Sequence, residues 1–237
     1  MKHVHGPIHL RNIRSIYVFI RIACHNNSCY GDLAIAKIMN PNKNWESAMQ
    51  ETPVDMTVFE AILARRCVRN FIPKAVSLDI IHVLLEAAVH APTVLQEDPG
   101  AFAIVRDKQL LKAISDRAKP LFVDELRKAG CANGRFSDSD FDIFYGAGTL
   151  VLICSKQTGS FMSADCWLAA ENIILAACAM KLGTCVIGAA LTALNMPDIK
   201  EILNIPEEFS IIVPIILGYP SHDTPPSPRR MPRIIIS

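Results

Sequence analysis

Residues 65–69, Arg65-Arg66-Cys67-Val68-Arg69, put three guanidiniums and one thiol within five positions. Like charges that close repel one another unless an anion sits among them. A guanidinium presents a planar fork of donors that matches phosphate oxygens two at a time, so a phosphate is the natural counter-charge. The competing reading is a solvated helix end, where arginines complement the negative end of the dipole. Phe71-Ile72-Pro73 follows directly and cannot continue a helix. The arginines therefore crowd at a loop rather than spread along a face, which favours the anion site.

Two further stretches carry candidate residues. Thr184 to Ala190, TCVIGAA, reads as a short strand turning through Gly188, where backbone can approach a flat ligand without a Cβ in the way. Arg229 and Arg230 lie in a proline-rich stretch, 225–232, expected to be extended. No G-x-G-x-x-G joins a strand to a helix, and no P-loop, H-E-x-x-H or G-x-S-x-G is present, so four common catalytic sites are not indicated. His3, His5, His9, Cys24, His25 and Cys29 could ligate a metal. Their spacing lacks a paired second half, and no metal is expected.

The elements that must position these residues can be read in order. Thr57 with Glu60 forms a capping box opening a helix to about Arg66. Ser77 caps a second helix to His90, with Leu78, Ile81, Leu84, Leu85 and Ala88 on one face. Ala91–Pro99 is a Pro-bounded loop, and Ala101–Val105 is an apolar strand. Residues 107–130 read as helical, broken near Pro120. Residues 131–142 are polar and loop-like. Thr149–Cys154 is a continuous apolar strand, as expected when both faces are covered. Asp165–Lys181 is a helix with no polar face, ended by Gly183 as the residue after its cap. Asn195 caps a helix that opens on Met196-Pro197, with proline at its first position. Phe209–Leu217 is the last central strand, with Pro214 tolerable near an edge or a bulge.

At 237 residues, 51% hydrophobic and 20% charged, the chain can bury a large core and is not of disordered composition. A net charge of +1 offers no field for nucleic acid or a membrane surface. The eight cysteines are scattered, several in apolar runs, with no C-x-x-C pair. That usage fits a reducing, cytoplasmic compartment without a disulfide framework. The apolar run Cys166–Leu182 is interrupted by Glu171, Asn172 and Lys181, so a buried helix is expected rather than a membrane span. Residues 1–55 form an N-terminal extension of unassigned role, and 56–237 the main domain.

The ordered motifs resemble the FMN-dependent nitroreductase family over roughly 57–233. Arg65-Arg66-Cys67-Val68-Arg69-Asn70-Phe71 is similar to that family's RRSxRxF, with Cys67 in place of Ser. Ala91–Gly100 resembles its APSxxNxQPW loop, with Gln96, Asp98 and Gly100 in place of Asn, Gln and Trp. Phe144-Tyr145 and Gly148 resemble its FYxAP segment. Asp165, Ala169, Asn172, Leu175, Ala176, Ala177, Leu182, Gly183, Thr184 and Cys185 fit its DxxxAxxNxxLAAxxxGLGTC pattern. Gly218-Tyr219-Pro220 and the arginines at 229 and 230 resemble its GYP and basic, proline-flanked ending.

The resemblance implies an α+β, three-layer fold: a central, mostly antiparallel sheet flanked by helices, in an intertwined homodimer with FMN at the subunit interface. It implies phosphate contacts from Arg65, Arg69 and Arg229 or Arg230. It implies phosphate–ribityl or ring-edge contacts from Arg66 and Cys67. Pro92, Thr93, Val94 and Gln96 would reach over from the facing subunit, and Cys185, Val186, Ile187 and Gly188 would lie against the flavin on its N5 side. Phe136, Phe141 and Phe144 are candidates to stack near the ring or, alternatively, core anchors. The activity implied is hydride transfer from NADH or NADPH to FMN, then to a nitroaromatic, quinone or similar small acceptor in ping-pong order, with no side chain named as catalytic acid. The alternative is a flavin-binding or sensory protein of the same fold with little turnover.

Overall fold

The computed structural model describes residues 16–20, 54, 56–93, 100–132, 134–156 and 160–235. Its frame is a six-stranded sheet. Strand β3 (Ala101–Val105) pairs with β1 (Ile16–Ile20) on one side and β4 (Thr149–Ser155) on the other. β4 pairs with the long β6 (Ser210–Pro220), whose far edge takes β5 (Gly183–Val186) and then the two-residue β2 (Phe71–Ile72). Among the described residues every strand pairing is antiparallel, and one parallel bridge adds Cys67 beside Thr184. Part of the N-terminal extension, β1, thus forms an edge of the sheet.

The two faces follow from the side-chain period of a strand. Ala101, Ala103, Val105, Leu150, Leu152, Cys154 and Ile216 pack with α3 (Lys108–Lys128) and the short α5 (Leu191–Leu194) and α6 (Pro197–Ile202). Phe102, Ile104, Val151, Ile153, Val213, Ile215 and Leu217 pack with α2 (Leu78–Val89) and α4 (Ser160–Ala179). With both faces covered, β3 and β4 are buried along their whole lengths. This is the three-layer arrangement expected. Pro214 sits in β6 opposite Leu152, and the β4–β6 register shifts one step further on, between Ile153 and Cys154, so the proline does accompany an irregularity.

The first helix, α1 (Val58–Ala64), carries the expected capping box: Glu60 N donates to Thr57 Oγ1 at 3.3 Å and Thr57 N to Glu60 Oε2 at 2.7 Å. Ser77 caps α2 through Ile80 N. Asn172 on α4 donates to the Ala87 carbonyl of α2 at 2.9 Å, tying these two helices together.

Three sequence expectations are corrected. α3 is not broken at Pro120 but runs through it. The proline lies on the exposed side, so the Asp116 carbonyl it leaves unpaired can turn to water. Asn195 does not cap the next helix. Met196 holds that position, while Asn195 accepts from Ile211 N at 2.8 Å and donates to the Leu191 and Ile211 carbonyls, stapling α5 to β6. Gly183 does not end α4. Lys181 adopts the left-handed turn there, φ 60°, and Leu182 N closes on the Ala177 carbonyl at 2.8 Å. Gly183 instead opens β5, where a Cβ would meet the Val68 side chain at 2.9 Å.

Candidate active site

The arginine segment leaves α1 and runs along β5. Val68 N donates to the Thr184 carbonyl at 3.0 Å, and Cys67 bridges Thr184. Two stretches far apart in sequence, 65–69 and 184–188, are thereby laid side by side. The segment is pinned at its other end as well. Ser221 N donates to the Asn70 carbonyl at 3.2 Å, and Asn70 Nδ2 donates to His222 Nε2 at 2.7 Å. With Nε2 accepting, the neutral ring keeps its proton on Nδ1, which faces Ser221 Oγ at 3.0 Å.

Beside this segment opens a cleft of about 450 Å³ lined by Arg65, Arg66, Val68, Cys178, Lys181, Leu182, Thr184, Pro220, His222, Asp223 and Thr224, among others. Its lining carries Arg65, Arg66 and Lys181 against the single carboxylate of Asp223, a balance that suits an anion. Arg66 has already spent part of its fork: one terminal nitrogen donates to the Leu63 carbonyl at 2.6 Å and the Arg65 carbonyl at 2.9 Å, satisfying the open end of α1. Its Nε is buried and has no partner, and the same is true of Thr224 Oγ1 across the cleft. A buried donor left unpaired costs about 1–3 kcal/mol. Either group would gain from an acceptor brought within hydrogen-bond distance.

Next to the cleft, the Cys185 thiol has the Cys67 thiol and the Arg69 guanidinium within interaction range. Burial pushes Cys185 up to about 11; the Arg69 charge pulls the other way and Cys67 adds to the rise. Cys67 itself is exposed. Cys178 in the cleft is raised by burial, opposed by the charges of Arg65 and Arg66. Beyond Cys185 the backbone turns at Ile187 into a single turn of 3-10 helix, Gly188–Ala190. Gly188 is exposed, and nothing lies within 4 Å of where its Cβ would stand. A flat ring could settle onto this backbone.

The structure thus brings together Arg65, Arg66, Cys67, Arg69, Cys185, Val186, Ile187 and Gly188. Arg229 and Arg230 are exposed on the extended tail and are not drawn onto the cluster. Pro92 is exposed and Thr93 half-buried at the end of α2, while Val94 and Gln96, like Asp98, lie outside the described residues. So do the N-terminal histidines and cysteines considered as metal ligands. Phe144 is wholly buried in the core, which removes it as a ring-stacking candidate. Phe122, Phe136, Phe141 and Tyr145 form a ladder of edge-on contacts at 4.8–5.4 Å, with Arg135 over Phe141. The cleft-lining Lys181, His222 and Thr224 were not singled out from sequence. His222 and Thr224 follow Gly218-Tyr219-Pro220 closely and could have been suspected; Lys181 takes its place through a backbone turn that nothing in its residue type announces.

The nitroreductase family model matches residues 62–219, about two thirds of the chain. The chain belongs to the nitroreductase family. A protein of Archaeoglobus fulgidus named for NADH dehydrogenase/NAD(P)H nitroreductase activity is 29% identical over 167 residues, 68% of this chain and 84% of its own length. An iodotyrosine deiodinase of Thermotoga neapolitana is 24% identical over 178 residues, 73% of this chain and 93% of its own. Among solved structures, a nitroreductase of Bacteroides fragilis with bound FMN superposes with a TM-score of 0.66 at 26% identity, covering 77% of this chain and 99% of that one.

Proposed function

We propose that this member of the nitroreductase family is an FMN-dependent oxidoreductase. The observation that carries the reading is the bridge between Cys67 and Thr184, because it sets the arginine cluster against the strand that turns at Gly188. Bound FMN would supply the redox chemistry, accepting hydride from NADH or NADPH and donating it to a nitroaromatic, quinone or similar acceptor in a separate half-reaction.

The chain's own residues supply binding, orientation and access. Arg65 and Arg66 hold the phosphate at the cleft, where Arg66 Nε and Thr224 Oγ1 await an acceptor. Arg69, Cys67 and Cys185 line the way to the ring. Val186, Ile187 and Gly188 offer backbone against one ring face, with open space over Gly188. Arg229 and Arg230 join the phosphate when the tail packs down, and Pro92, Thr93, Val94 and Gln96 come from the facing subunit.

A homodimer is part of the proposal. α1 exposes Val58, Phe59, Ile62 and Leu63, and α4 exposes Phe161, Trp167 and Leu168. A contiguous apolar surface of this kind is the mark of an interface. It also gives a reason for α4 being long and apolar enough to cross a membrane: one side packs on the sheet through Cys166, Ala169, Ala170, Ile173 and Ala177, and the other would meet a second subunit. None of the six described cysteines is in a disulfide, in keeping with a cytoplasmic protein.

The test is turnover. The purified protein, loaded with FMN, should oxidise NADH or NADPH when a nitroaromatic or quinone is added, with parallel double-reciprocal lines. Stable FMN binding without acceptor-dependent oxidation would favour a flavin-binding protein with little turnover.

A further inference from the structure

The pair of thiols at the arginine segment has a use beyond contacting a cofactor. Cys67 stands opposite Thr184 in a parallel bridge, one residue short of Cys185. Paired strands lie about 4.8 Å apart and rise about 3.3 Å per residue. The two cysteine Cα atoms are therefore about 5.8 Å apart, inside the roughly 4.4–6.8 Å that a disulfide spans. The Cys185 thiol also has the Cys67 thiol as an interacting neighbour.

The members of the pair are also unlike in the way that stepwise oxidation requires. Cys67 is exposed and can meet a reagent, whereas Cys185 is only 3% exposed and is held as the neutral thiol by burial. Arg69 interacts with the Cys185 thiol as well. Cys154 and Cys166, by contrast, are both buried.

We propose that Cys67 and Cys185 form a reversible disulfide, with Cys67 the cysteine that reacts with a hydroperoxide and Cys185 the one that resolves it. The Cys67 thiolate attacks one peroxide oxygen, breaking the O–O bond. That gives a sulfenic acid, and the departing oxygen takes a proton and leaves as water or an alcohol. The Cys185 sulfur then attacks the Cys67 sulfur, forming the S–S bond and expelling the sulfenic oxygen as water, which carries off the Cys185 proton. Two thiols are oxidised and one peroxide is reduced. A dithiol reductant reverses the change through thiol–disulfide exchange.

The disulfide chemistry stands on the geometry of the pair; its coupling to flavin rests on the reading above. A bond between residues 67 and 185 would pin the arginine segment to the strand that the flavin ring rests on, and bound FMN would in turn shield Cys67.

The test treats the protein, as purified and again after loading with FMN, with hydrogen peroxide. Remaining thiols are blocked under denaturing conditions, and the digest is mapped by mass. The expected result is loss of two blockable thiols and a Cys67–Cys185 cross-linked peptide that dithiothreitol removes. The peptide should be absent in Cys67→Ser and in Cys185→Ser, and should form more slowly when FMN is bound. In Cys185→Ser, Cys67 should advance to sulfinic acid. Peroxide consumed at other cysteines, or Cys67 over-oxidised in the parent protein with no cross-link, would overturn the proposal. A cross-link that forms in a protein unable to take up FMN would uphold the disulfide and sink the flavin reading alone.

Discussion

Gly148 stands where the family pattern has proline, and the structure says why a larger residue fails there. A Cβ at this position would lie 2.5 Å from the Lys74 carbonyl carbon and oxygen and 2.6 Å from Ala75 N. Carbon contacts settle near 3.5 Å, so Gly148→Ala forces the Lys74–Ala75 peptide back by about 1 Å. That peptide leads into Val76, whose buried N–H donates to Thr149 Oγ1 at 3.1 Å, and Thr149 is the neighbour of the mutated residue. Overpacking costs about 1–3 kcal/mol, and stretching a buried donor off its acceptor about 1–3 kcal/mol more. A total of about 4 kcal/mol lowers the melting midpoint of a domain this size by roughly 8–16 °C. The assay is thermal unfolding followed by circular dichroism, on flavin-free protein so that ligand binding does not enter. Gly188→Ala is the control: nothing lies within 4 Å of its Cβ, so its midpoint should stay with the parent. A Gly148→Ala midpoint within about 2 °C of the parent would refute the reasoning.

Other outcomes follow from the same structure. Arg65→Ala and Arg69→Ala should each weaken FMN binding by about 10-fold or more, as expected for losing a charged hydrogen-bond donor worth about 1.5–3 kcal/mol; Lys128→Ala, remote on α3, should leave the fluorescence titration unchanged. Cys154 and Cys185 are pushed up by burial to about 12 and about 11, above their ordinary value of 9.0. Both stay neutral in the fold where the unfolded chain already ionises, so their contribution is intact below pH 9 and declines as pH rises through the folded values. Urea midpoints should therefore fall between about pH 9 and 11, less so in Cys185→Ala; a flat profile would contradict this. Pro120→Ala restores a missing helix hydrogen bond on an exposed face and should raise the urea midpoint, by up to about 3 kcal/mol in stability.

Legibility varied along the chain for physical reasons. The sheet strands were readable because a strand covered on both faces must be apolar throughout, as Ala101–Val105 and Thr149–Ser155 are. The capping residues Thr57 and Ser77 were readable because their side chains act within three positions. Asn195 was misread because its amide serves a strand sixteen residues away, and no local pattern distinguishes that from a cap. Gly183 was misread because its constraint comes from Val68, a partner remote in sequence, while Lys181 tolerates the left-handed turn. Gly100, where the family pattern has tryptophan, has φ 108°, and a Cβ there would run into the Cys154 carbonyl oxygen, so only glycine fits. The basic cluster itself was legible from charge spacing. The cleft beside it was not, since Lys181, His222 and Thr224 converge only through the end of β6 and the turn after α4.

The most direct measurement is the visible absorbance spectrum of the purified protein, before and after adding FMN, with the released chromophore identified after heating. The account predicts a yellow protein, or one that becomes yellow with FMN and retains it through gel filtration, yielding FMN on denaturation. A colourless protein that fails to retain added FMN would contradict it, and the arginines at 65, 66 and 69 would then need a different anion.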